Sequence, residues 1–64
     1  MMELGNLALL CAKRNDVSFQ IYQGNVTVHV GQGAERRSLS SKWNDNVNIM
    51  IIIHELNFGK FKQS

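Results

Sequence analysis

The sequence predicts an α+β fold with the order α-β-β-(β)-α: an N-terminal helix, an antiparallel β-hairpin with a short third strand where the chain allows it, and a C-terminal helix. Three observations predict it. Apolar residues recur at helical spacing over residues 3–14. They switch to strict alternation over residues 17–30. A nearly unbroken apolar run, "NVNIMIIIHEL", then fills residues 46–56 between a turn-forming "ND" and a glycine.

In the first segment Leu4, Leu7, Ala8 and Cys11 fall on one helical face, with Leu10 at its border. Lys13 and Arg14 place positive charge near the negative end of the helix dipole, and Asn15 and Asp16 favour a turn. In the second segment Val17, Phe19 and Ile21 alternate with polar residues, as do Val26, Val28 and Val30. A two-residue turn at Gly24-Asn25 sets Ile21 opposite Val28 and Phe19 opposite Val30. "GQGAER" reads as a flexible connection. "RRSLSSKW" alternates weakly, and its serines and basic residues suit a sheet edge.

The C-terminal run reads as a strand by its β-branched content and as a helix by its length and ends. Asn44 or Asp45 can cap it and Gly59 can stop it, which favours the helix. On a helical wheel Val47, Met50, Ile51, His54 and Phe58 gather on one side, and Ile49, Ile52, Ile53 and Leu56 gather nearly opposite. The expected core is Leu4, Leu7, Cys11, Phe19, Ile21, Val28, Val30, Ile51 and either Val47 or Ile53.

At 64 residues the chain has room for one domain, and a chain of this size buries only about 60% of the surface it exposes when unfolded. Its composition, 44% apolar and 19% charged, is that of an ordinary globular chain. A single cysteine points to a reducing, cytoplasmic setting. The N-terminus does not read as a signal peptide, because Glu3 stands where basic residues belong and the apolar stretch is short. Asn48 and His54 break the C-terminal run well before the roughly 20 residues a membrane span needs.

Little in the chain points to catalysis. His29, His54 and Cys11 share no ligand spacing, so neither a metal nor another cofactor is expected. Gly31-Gln32-Gly33 lacks the third glycine of the dinucleotide fingerprint and the Lys-Ser/Thr of a phosphate loop. The five acidic residues are scattered, with no close carboxylate pair. Asn25-Val26-Thr27 matches the glycosylation acceptor pattern by chance in a chain that is not exported.

Two binding functions remain. One is a non-catalytic interaction protein, a homodimer first of all, that self-associates through Ile49, Ile52, Ile53, Leu56 and Trp43 and binds or inhibits a larger protein. The other is a basic nucleic-acid-binding module, given the net charge of +2, with Arg36, Arg37, Lys42, Lys13 and Arg14 on phosphates and Tyr22 for stacking. The element order resembles the double-stranded RNA-binding domain. That family reads phosphates with a lysine cluster at the start of its last helix, where "SSKWND" offers only Lys42 before Asp45, so no functional residue carries over. In size and organisation the chain also resembles small accessory proteins of bacteriophages and other mobile elements, some of which bind and block host factors. That resemblance implies a protein-binding role.

Overall fold

The computed structural model describes residues 3–31 and 33–60. Helix α1 spans Glu3–Ala12; strands β1, β2 and β3 span Val17–Tyr22, Asn25–Val30 and Arg37–Lys42; helix α2 spans Asn46–Asn57. One 3-10 turn, Gly33–Glu35, lies between β2 and β3. The chain is therefore an α-β-β-β-α arrangement in which the third strand is as long as the other two. The three strands form one antiparallel sheet in the order β1-β2-β3.

The hairpin closes one residue earlier than Gly24-Asn25. Gln23 and Gly24 both have positive φ, 50° and 79°, as a two-residue turn between twisted strands requires. The register moves by two residues, so the faces are kept but the partners change. Val17 pairs with Val30, Phe19 with Val28 and Ile21 with Val26. The physical gain is plain: the later turn would set Val17 against Gln32 and Val26 against Gln23, whereas this one gives each apolar residue of β1 a valine partner. Gln32 itself lies outside the described residues, and Gly31 and Gly33 on either side both have positive φ.

The C-terminal run is a helix, as its length and ends favour. Asp45 is the cap, its side chain accepting a hydrogen bond from Asn48 N at 3.1 Å. At the other end Phe58 and Gly59 donate to His54 O and Glu55 O. A Cβ on Gly59 would lie 2.9 Å from Glu55 Cα, so the chain turns off the helix in space that a side chain would fill.

The core is one cluster between the sheet and the two helices: Leu7 and Cys11 from α1, Val26, Val28 and Val30 from β2, and Ile49, Ile52 and Leu56 from α2. Leu4, Leu10, Val17, Phe19, Leu39 and Ile53 pack partly buried around it. The expected core is corrected at Ile21 and Ile51, and β2 adds Val26. Ile21 is exposed because β1 is an edge strand, while Val26, absent from the expected core, is fully buried because β2 has a neighbour on each side. Ile51 faces outward because α2 turns its other side to the sheet, and of the two alternatives Ile53 packs against the core while Val47 is exposed.

Candidate interaction surface

Helix α2 has two apolar sides separated by thin polar flanks, and the fold can cover only one. Ile49, Ile52 and Leu56 stand three and four residues apart, and all are buried. The opposite side carries Val47, Met50, Ile51 and Phe58, which remain 70, 55, 55 and 73% exposed. His54 lies exposed among them, its ring centroid 5.4 Å from that of Phe58. The flanks are Asn46, Asn48, Glu55 and Asn57.

The choice of side has a physical cause. The buried side is wholly aliphatic, whereas turning the other inward would have to desolvate the His54 ring. Of the residues expected at the self-association surface, Ile49, Ile52 and Leu56 are therefore corrected: they lie inside the protomer's own core and cannot reach a second chain. Ile53 is partly buried against that core. Trp43 is 42% exposed and sits at the hairpin, its backbone N–H donating to Gly24 O and its ring 3.8 Å from the position of a Cβ on Gly24. The signal that could have chosen the side was the lone histidine on the wheel.

The other solvent-facing surface is ordinary by comparison. On the sheet face away from the helices the cross-strand rows are Ser18-His29-Ser38, Gln20-Thr27-Ser40 and Tyr22-Asn25-Lys42. All are polar or amphipathic, as a solvated face should be. An uncovered stripe of four large apolar side chains on α2 is the departure from that rule.

The basic residues do not form one surface. Arg14 is buried: it holds Asp16 through Nε to Oδ1 at 3.0 Å and a second nitrogen to Oδ2 at 2.7 Å, and donates to Leu56 O at 2.8 Å. It is thus corrected from a phosphate contact to a structural tie that joins the end of α1 to the last turn of α2. Arg36 and Arg37 stand at one end of β3 and Lys42 at the other, about 17 Å along the strand. Tyr22 shares a row with Lys42, and Lys13 is exposed past the end of α1.

Two open hollows occur at the end of the sheet near Gly31. One of about 310 Å³ is lined by Asp16, Ser18, His29 and Arg36 among others, and one of about 570 Å³ by Asp16, Glu35, Arg36, Arg37 and Lys60 among others. The Asp16 carboxylate in both is engaged by Arg14, whose hydrogen bonds hold its pKa below the ordinary value. Burial pushes the Cys11 thiol up, against a smaller opposing effect of Arg14, so it is a poor nucleophile. Among the described residues no group of three His, Cys, Asp or Glu side chains could hold a metal ion. Among those same residues no helix is long and apolar enough to cross a membrane.

No protein-family model matches the chain, and neither does any curated protein or solved structure. The surface has to be read from its own chemistry.

Proposed function

We infer that the chain is a small non-catalytic interaction protein that pairs with a second copy of itself through the outward side of α2. The observation that supports this reading is the exposed apolar stripe of Val47, Met50, Ile51 and Phe58, on a helix whose other side already fills the core. A helix apolar all round is stable in water only when both sides are covered. No formal charge lies within the stripe, so two copies meet without like-charge repulsion. Burying four large side chains from each copy yields on the order of 10 kcal/mol gross, the term that opposes the lost translational and rotational freedom of association. A larger protein partner would compete for the same side of α2.

The test is sedimentation of the wild type and of Ile51→Glu. Ile51 is half-exposed, so the variant keeps its fold and its circular dichroism spectrum while losing the contact made through α2. A wild type that sediments as a monomer at high micromolar concentration ends the proposal.

A further inference from the structure

We propose that β1 is a second docking edge, where β1 of another copy adds antiparallel to make one continuous sheet across a twofold axis at Phe19. This rests on the backbone of the sheet and stands independently of α2.

Among the described residues the strand order leaves β1 paired on one side alone. Gly31 N donates to Asp16 O at 2.9 Å, which fixes the parity of the ladder: residues 16, 18, 20 and 22 direct their amides and carbonyls toward β2. Val17, Phe19 and Ile21 therefore direct theirs to the open edge. Native edges are usually guarded by charge or proline. The other edge, β3, has such guards in Arg37 and Lys42, whereas β1 reads "VSFQIY", with neither charge nor proline and with all six residues paired to β2 in unbroken register. The side chains agree with the backbone. Ile21 is 50% exposed, and Val17 and Phe19 are only partly buried, so the core is open along this margin.

The same parity selects the occupant. An arriving strand must present outward amides at alternate positions and apolar side chains on the helix-facing side, and β1 itself does both. Centred on Phe19, the pairing sets Phe19 opposite Phe19 of the other copy and Val17 opposite its Ile21. Each outward-directed residue then enters a hydrogen-bonded pair. Moving the centre to Gln20 would put Val17 against a turn residue and lose a pair. On the polar face, Ser18 lies opposite Gln20 of the other copy.

That last pairing supplies the experiment, because Ser18 and Gln20 are exposed and can be changed without touching the core. Ser18→Glu with Gln20→Glu sets like charges opposite one another twice across the axis. In the Ile51→Glu background, where β1 alone joins copies, this double variant is expected to weaken the contact roughly tenfold and to shift the sedimenting species from dimer toward monomer, halving the mass. Ser18→Lys with Gln20→Glu sets opposite charges together and restores it. The cysteine pair at the same two positions is expected to cross-link copies under mild oxidation, with neither single cysteine variant doing so. Equal masses for both charge pairs, or no cross-link above the single variants, would overturn the β1 contact. Ile51→Glu reads the α2 contact separately, so either can fail without the other.

Discussion

At the scale of single residues, Arg14 has more structural consequence than any other polar side chain described. Its guanidinium donates to Leu56 O, one of the helix-end carbonyls that lack a partner within the helix, and holds Asp16 just before β1. Arg14→Met should cost about 2 kcal/mol in urea denaturation, since Leu56 O and Asp16 lose their donor together. Asp16 gives this tie a pH dependence. Its pKa is depressed in the folded protein, so its contribution is complete above the ordinary carboxylate range and disappears as pH falls through the folded value. The gap in melting temperature between wild type and Asp16→Asn should be widest near neutral pH and close in strong acid. A gap that is constant with pH would contradict the assignment. Gln23 offers a gain instead. It holds φ of 50° in a position that asparagine tolerates better, and Gln23→Asn should raise stability by about 0.5 kcal/mol in thermal unfolding.

Elements show how far patterns in the chain carry. Alternation over residues 17–30 was enough for the hairpin and its faces, because a period of two has one solution per face. The turn position was not legible from it, since registers two residues apart keep the same faces. What decides between them is which register leaves Val17 and Val26 with apolar partners. The two-sidedness of α2 was legible on the wheel, whereas its orientation was marked there only by His54, because both sides are otherwise greasy. For the same reason the expected contact residues Ile49, Ile52 and Leu56 proved to be core. Arg14 was hidden because a terminal basic residue suits a helix dipole as well as it suits a buried tie; Asp16 two residues later was the available clue. The orientation of α2 has a direct mutational signature. Measured at a concentration where the protein is monomeric, Ile52→Ala should cost about 2–4 kcal/mol and Ile51→Ala less than about 0.5, though the two residues are adjacent and identical. Equal losses would mean that the helix is turned the other way.

At the scale of the whole molecule, the two layers share one small core, so any contact that covers the outer side of α2 adds a large fraction of the total stability. The melting temperature should therefore rise with protein concentration, as association stabilises the folded chain by mass action. A concentration-independent melt would speak against pairing. Cys11, buried in that core, should react with thiol reagents only through opening of the fold, so its labelling rate should fall as concentration rises. The lone tryptophan gives the molecule a built-in optical reporter. Trp43 is anchored by its N–H to the carbonyl of Gly24, which places the indole beside the closed end of the hairpin. Its fluorescence should report whether the β2–β3 ladder is zipped to its end, and a spectrum that shifts before helicity is lost would mark that corner as the first to fray.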